Sequence, residues 1–546
     1  MSLLVVLFFR EIMKKKPLTR KPPLKKKTAK NHDVHEKKIV VLDFGSQYTQ
    51  LIARRIRELR YYAEIHPHHI SLKEIQSLNP AGIILSGGPA SVYEKGAPQV
   101  DAGVFGLGVP VLGICYGLQL ICHLNGGRVA ASGAREYGRA TLKARKASPL
   151  LKGVKPGQVW MSHGDKILKL PKRFSVIGVT ENSPTAAFAD EKARIYGVQF
   201  HPEVQHSTQG KAILKNFCST ICAMKPNWTM SRFVEEKISE IRAQVKGERV
   251  LLGLSGGVDS TVTAKLLHDA IGDQLTCVYV DTGLMRKGET DAVRTRFKKE
   301  FGIKLEIVDA ESRFMAALAG VDEPEQKRKI IGKLFLDEFA AKAKELGHHE
   351  FLAQGTLYTD VIESVSVKGP SQTIKSHHNR VQGVLDMIKA GRVIEPLSEL
   401  FKDEVRRLGL ALKINRNLLY RHPFPGPGLA IRILTAVTRE NVATLREADA
   451  IMLDELKTSG WYEKVWQAGA IFLPVRSVGV MGDNRTYENV IALRLVTSED
   501  GMTADFAHLP YEVLAKIASR IINEVRGVNR VVYDISSKPP ATIEWE

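Results

Sequence analysis

The sequence predicts an α/β protein with two doubly wound parallel-sheet domains followed by a smaller α+β domain. Three observations carry that expectation. Short apolar runs alternate with amphipathic stretches from Lys38 to about residue 410, the rhythm of parallel strands joined by crossing helices. Two of the runs end in loops rich in small residues, Gly113-Ile114-Cys115-Tyr116-Gly117 and Leu254-Ser255-Gly256-Gly257-Val258-Asp259-Ser260. A break too rich in proline for helix or central strand, His422-Pro423-Phe424-Pro425-Gly426-Pro427-Gly428, then precedes a segment of different rhythm.

In chain order, Lys38–Asp43 reads as a buried strand. Ser46–Arg60 reads as a helix with Tyr48, Leu51, Ile52, Ile56 and Leu59 on one face. Gly82–Leu85 and Val109–Ile114 are further short buried strands, so the sheet of this first domain is expected to be parallel. A second unit starts with the strand Arg249–Gly253 and the helix Thr261–Ile271. It continues with strands near Leu275–Val280, Lys304–Val308 and Phe351–Ala353. After the proline-rich break come the helices Arg439–Thr458 and Tyr511–Val525 and a last strand, Val528–Ile535. With a boundary at the Pro226 region, the domains are expected at 38–227, 228–421 and 422–546, behind a basic arm over 1–37.

The 546 residues and 44% apolar content allow several large cores. Five scattered cysteines indicate a reducing compartment and no disulfide framework. The net charge of +20 is lopsided: residues 1–38 hold 12 Lys/Arg against 3 Asp/Glu. Such a Lys/Pro-rich segment is expected to be a disordered, dispensable arm, and no aromatic-interleaved basic surface elsewhere supports specific nucleic-acid binding. The apolar run Leu3–Phe9 is too short to span a bilayer. A cytoplasmic protein without membrane association is therefore expected. The histidines His66, His68, His69, His377 and His378 lack carboxylate or cysteine partners at metal-ligand spacing.

The loop Ser255–Thr261 joins a strand to a helix, where free backbone N–H groups and the helix N-terminus bind anions. No Gly-Lys-Ser/Thr follows, so it is not the common ATPase loop. Paired glycines, hydroxyls and Asp259 suit a pyrophosphate with a metal ion beside it, which points to cleavage of ATP into AMP and pyrophosphate. Cys115 sits between small residues at a strand-to-helix elbow, the geometry that exposes a nucleophile, and a helix N-terminus there favours the thiolate. Downstream, His201-Pro202-Glu203 ends another strand. His201 can take the thiol proton and Glu203 can fix its tautomer. Cys122 reads as core.

These motifs resemble two known families, a class I glutamine amidotransferase followed by a PP-loop ATP pyrophosphatase. Their order, together with the tail Lys538-Pro539-Pro540-Ala541-Thr542-Ile543-Glu544-Trp545-Glu546, resembles the glutamine-hydrolysing GMP synthetases over roughly residues 38 to 546. Trp160–Asp165, Lys327–Gly332, Ala353–Thr356, Phe401–Val405 and Arg476–Gly482 belong to the same resemblance. It implies a Cys115–His201–Glu203 triad, with the backbone of Gly88 and Tyr116 as oxyanion hole. It implies that Ser255, Gly256, Gly257, Val258, Asp259, Ser260 and Thr261 hold ATP, with Mg²⁺ near Asp259 and Lys402 at the α-phosphate. Lys538, Thr542, Ile543 and Glu544, with Arg328, would hold the acceptor, xanthosine monophosphate. ATP would adenylate its C2 oxygen and ammonia from glutamine would displace AMP. A homodimer through the C-terminal domain is also implied. The alternative is another glutamine-dependent ATP pyrophosphatase acting on a different carbonyl. Two departures from the family pattern stand out. Val280-Asp281-Thr282-Gly283 has Thr where Asn is usual, and Ser376–Gly383 carries a charged stretch, from Asn379 on, where a Gly-Gly loop is usual.

Overall fold

The computed structural model describes residues 34–365 and 391–546, except 483, 499, 500 and 502. The divergent stretch 376–383, with His377 and His378, lies outside these residues, as do residues 1–33 of the basic arm. The chain divides into two compact units, with the change at Glu236/Lys237.

The first unit is built on a nine-stranded sheet. Its strands are β1 (Lys38–Asp43), β2 (Tyr62–Pro67), β3 (Gly82–Leu85), β4 (Val111–Ile114), β5 (Arg128–Ala144), β6 (Gly157–Lys169), β7 (Ser175–Val179), β8 (Ala187–Asp190) and β9 (Ile195–Val198), in the order β2-β1-β3-β4-β9-β8-β7-β5-β6. The five strands from β2 to β9 are parallel. The rest pair antiparallel and extend the parallel sheet that the sequence predicts. No described α-helix lies between β5 and β9; β6 and β7 each pair antiparallel with β5, β8 with β7 and β9 with β8. The helix expected over Ser46–Arg60 is shorter, Thr49–Glu58. Packing includes residues before Lys38: Val34 is buried, and the His35 ring packs edge-on against Tyr62 and Trp228. Apolar contact outweighs local charge there, and the packed region extends into the segment read as arm.

The second unit opens with a five-stranded, wholly parallel sheet. Its strands are β10 (Val250–Leu254), β11 (Leu275–Asp281), β12 (Leu305–Asp309), β13 (Phe351–Ala353) and β14 (Val393–Ile394), in the order β12-β11-β10-β13-β14. The chain leaves β10 toward one side and later returns on the other, so the C-terminal end of β10 is the topological switch point, where α/β sheets bind ligands. The helix after β10 begins at Val258, three residues earlier than the sequence reading. Gly257 is its N-cap in extended conformation, so Val258, Asp259 and Ser260 form the first helical turn instead of loop.

Four further strands form a second sheet. They are β15 (Gln467–Met481), β16 (Asn484–Thr497), β17 (Asp505–Phe506) and β18 (Val528–Tyr533). The helices Arg439–Thr458 and Tyr511–Glu524 belong to the same segment. One buried cluster runs from Val280, Leu284 and Phe314 through Leu429 to Leu445, Leu493 and Val528, so the segment after the proline-rich break shares its core with the edge of the parallel sheet. All five cysteines are free and buried. No described helix is long and apolar enough to cross a membrane.

Candidate active sites

In the first unit, β4 and β9 are neighbours in parallel register, with Ile114 opposite Val198. The residues that follow them therefore meet at one end of the sheet, although 84 positions separate Cys115 from Gln199. Cys115 caps the helix Tyr116–Leu124 with φ +52° and ψ −103°, a conformation that non-glycine residues seldom adopt. Its N–H is held by the Val198 carbonyl at 2.8 Å. The Gln199 amide donates to its Sγ at 3.7 Å. The Sγ also lies 3.6 Å from the Ser162 carbonyl. The elbow closes because Gly117 has no side chain: a Cβ there would stand 2.3 Å from the Leu85 carbonyl oxygen. Gly117→Ala is expected to push the helix off β3, destabilising the unit by about 1–3 kcal/mol as overpacking does. The alkylation rate of Cys115 and the urea midpoint should change together, and a variant unaltered in both would show that the elbow tolerates a side chain.

His201 and Glu203 are both buried, and His201 Nδ1 lies 2.7 Å from Glu203 Oε1. Burial favours the neutral imidazole, but the Glu203 charge and the hydrogen bonds to Cys115 and Glu203 outweigh it and hold the His201 pKa well above its usual value. The Tyr48 ring packs edge-on against the imidazole, 5.0 Å between centroids. Neither Gly88 N–H nor Tyr116 N–H has an acceptor among the described residues. Both lie beside the thiol's elbow, since Gly88 packs on the Tyr116 ring. A thiol at a helix N-terminus, a base fixed by a carboxylate and two free N–H donors are the parts of an acyl-transfer site. A second buried pair, His163 Nε2 with Glu136 Oε2 at 3.3 Å, supports the strand that carries Ser162. Burial lowers the His163 pKa. Elsewhere His66 pairs with Glu64 at 3.1 Å, and His68 bonds the Asp43 carbonyl at 3.2 Å.

In the second unit, Ser255, Gly256 and Gly257 turn from β10 into the helix Val258–Ile271. Gly256 has φ +72°, and the Ser255 hydroxyl lies 3.1 Å from that of Ser260 and accepts the Gly257 N–H at 3.2 Å. Thr261 is turned inward, its hydroxyl donating to the Gly257 carbonyl at 2.8 Å. Lys402, first residue of the helix Lys402–Ala411, reaches Asp259 with both carboxylate oxygens at 2.6 Å. Taken alone in the sequence, without its neighbours, Lys402 reads as a surface helix charge; in the structure it faces the loop. Thr282, after β11, accepts the Leu284 N–H at 3.2 Å.

The tail is ordered over its whole length and held by buried cations. Arg432 grips Glu544 with Nε at 3.0 Å and Nη2 at 2.7 Å. Lys327, fully buried, lies 3.1 Å from Glu546 Oε2. Arg494 donates to the carbonyls of Thr542 at 2.9 Å and Ile543 at 3.4 Å. Arg328 bonds the main-chain oxygen of Glu546, and Lys538 Nζ bonds the Gly501 carbonyl at 2.8 Å. A cavity of about 530 Å³ opens here between Tyr533–Ser536 and Ala541–Trp545. Lys538 and Arg328 thus flank the tail with charges on main-chain oxygens. The Glu544 carboxylate, read from the sequence as facing the base, is engaged by Arg432.

Sequence reading gave no role to Gln199, Lys327, Arg421, Arg432 and Arg494. For the last two a signal existed: each is a lone cation inside a strongly apolar run, Leu429-Ala430-Ile431-Arg432-Ile433 and Ile491-Ala492-Leu493-Arg494-Leu495. A charge buried in such a run requires a partner.

Comparison with known proteins matches three family models in succession. They are glutamine amidotransferase class-I over residues 40–221, NAD synthase over 228–334, and GMP synthase C terminal domain over 454–545. Proteins named GMP synthase [glutamine-hydrolyzing] are similar over nearly the full chain. That of a Nitratiruptor species is 57% identical over 518 residues, 94% of this chain and 100% of its own length. That of Sulfurimonas denitrificans is 57% identical over 513 residues, 93% of this chain and 99% of its own length. That of Wolinella succinogenes is 57% identical over 519 residues, 94% of this chain and 99% of its own length.

Proposed function

The chain belongs to the glutamine-hydrolysing GMP synthase family, and from that premise we propose how its residues divide the work. It is a glutamine-dependent ligase that makes GMP. The acceptor is xanthosine monophosphate. The observation that carries the reading is the pairing of a buried Cys115–His201–Glu203 constellation with a PP-loop at the switch point of a second sheet. The match of residues 454–545 to the GMP synthase C-terminal model favours this acceptor over another carbonyl.

At the first site Cys115 attacks the side-chain amide of glutamine. His201 takes the thiol proton and returns it to the leaving ammonia, and the carbonyl oxygen gathers charge against the N–H groups of Gly88 and Tyr116. Water then releases glutamate. Glu203 keeps His201 in the reactive tautomer. At the second site the free N–H groups from Ser255 to Thr261 cradle the pyrophosphate of ATP. The Asp259 carboxylate, with the Ser255 and Ser260 hydroxyls that lie 3.1 Å apart, would hold Mg²⁺, which would neutralise phosphate charge. Lys402 then exchanges its bond to Asp259 for the α-phosphate, where charge develops as the C2 oxygen is adenylated. Lys538 and Arg328 hold the nucleotide phosphate, with Thr542, Ile543 and Glu544 beside the base. Exposed Val478, Val480 and Tyr487 on the β15–β16 hairpin support a homodimer.

The test is an assay with ATP, magnesium, glutamine and xanthosine monophosphate. GMP, AMP and pyrophosphate are expected in equal amounts, whereas ADP and orthophosphate would refute the second-site reading. A pH profile tests the first. Glu203→Gln removes the charge that raises the His201 pKa, so burial prevails and the pKa falls. The acid limb of glutaminase kcat/KM is expected to move to lower pH by about one unit or more, with a plateau at least ~100-fold lower. An unmoved limb would show that Glu203 does not govern His201.

A further inference from the structure

Arg421 has no role in the reaction as described above, yet it lies under the PP-loop. Its Nη1 donates to the Gly256 carbonyl at 2.9 Å, and its Nη2 pairs with Glu289 Oε1 at 2.6 Å. Glu289 is itself buried, with side-chain exposure of 8%. A Cβ built on Gly256 would contact this same carboxylate at 3.5 Å, together with Val293 and Tyr279. The loop therefore rests on an Arg–Glu pair set among packed side chains of the sheet and of the helix Glu289–Thr295.

The geometry of a peptide unit says what this contact does. In a planar trans peptide, C=O and the following N–H point in opposite directions. A guanidinium that fixes the Gly256 carbonyl therefore also aims the Gly257 N–H to the other side, toward the Ser255 hydroxyl and the first helical turn. Gly256, at φ +72°, lacks the side chain that would limit its alternatives, so the loop needs an outside restraint to stay pre-aimed. A peptide turned the other way would present a carbonyl oxygen to phosphate.

We propose that Arg421, braced by Glu289, is a positioning residue for ATP, locking the Gly256–Gly257 peptide with its N–H toward the pyrophosphate. The proposal rests on the reading of this loop as the ATP site. Arg421 touches no reacting atom and acts through the loop backbone. A lysine in its place would supply a charge but not the two-pronged bridge between carbonyl and carboxylate.

The experiment uses the full-length enzyme with ammonium as nitrogen source, together with equilibrium binding of MgATP. Arg421→Gln is expected to raise both Kd and KM for ATP on the order of tenfold or more, the worth of a charge-assisted hydrogen bond. KM for xanthosine monophosphate and the labelling of Cys115 by a glutamine analogue should stay unchanged. Glu289→Gln should move ATP in the same direction by less, and Arg421→Lys should recover part of the loss. An unchanged ATP affinity in a folded variant overturns the proposal, and so does an equal rise in both nucleotide constants, which marks general loosening. If Arg421→Gln fails to fold, Arg421→Lys and Glu289→Gln decide by the same comparison. Wild-type enzyme that binds no MgATP would overturn the ATP-site reading itself, an outcome separate from a variant that matches wild type.

Discussion

Replacing Cys115 with alanine is expected to abolish GMP formation from glutamine and leave formation from ammonium largely intact. The thiol is the group at the first site that bonds covalently to the amide carbon, so its loss should lower the glutamine-driven rate on the order of 10⁴-fold or more. The second site accepts ammonia from any source, and its loop, Lys402 and tail all lie in the other compact unit. GMP would be followed with glutamine, then with ammonium chloride at raised pH, where more free ammonia is present. Equal loss of both activities would refute the division of labour between the two sites.

Removing residues 538–546 is expected to raise KM for xanthosine monophosphate roughly a hundredfold or to abolish synthesis, since at least two charge-assisted contacts worth about 1.5–3 kcal/mol each disappear. The deletion also takes Glu544 from Arg432, which keeps Asp449 at 3.5 Å, and takes from the buried Lys327 its carboxylate partner, Glu546. Orphaning a buried charge costs about 3–5 kcal/mol, so a lower melting temperature should accompany the kinetic effect. Lys538→Ala separates the two causes. It keeps both buried pairs, so KM should rise while the melting temperature holds. Labelling of Cys115 by a glutamine analogue should persist in either variant. A normal KM in the truncated enzyme would remove the tail from the nucleotide site.

What was legible in the sequence was local. Apolar runs such as Lys38–Asp43, Gly82–Leu85 and Phe351–Ala353 coincide with strands, because a run buried on both faces leaves an unbroken signature. The two loops were legible because glycine at a strand end marks a backbone that must turn tightly. The antiparallel half of the first sheet was not, since pairing direction depends on connection length and not on the composition of a strand. Nor was Val258 as a helix start, because the N-cap is a glycine and carries no side-chain signal. Arg421 was hidden for a different reason. Its partners, Gly256 and Glu289, lie 165 and 132 positions away, and only the fold brings them together.

The register of β4 against β9 has a consequence for how this half of the molecule can be altered. The separation of thiol and imidazole is set by the spacing of two adjacent strands, about 4.8 Å, and not by the length of chain between them. The antiparallel extension β5 to β8 leaves the sheet after one of these strands and re-enters at the other. Its turns are therefore ports for engineering. A reporter domain inserted at the exposed Gly153 of the loop between β5 and β6, clear of the buried Leu150 and Leu151, should travel as cargo, leaving nucleophile and base in place. New chain ends opened there should do the same, because the hydrogen bond that joins Cys115 to Val198 does not depend on the path by which the chain came back.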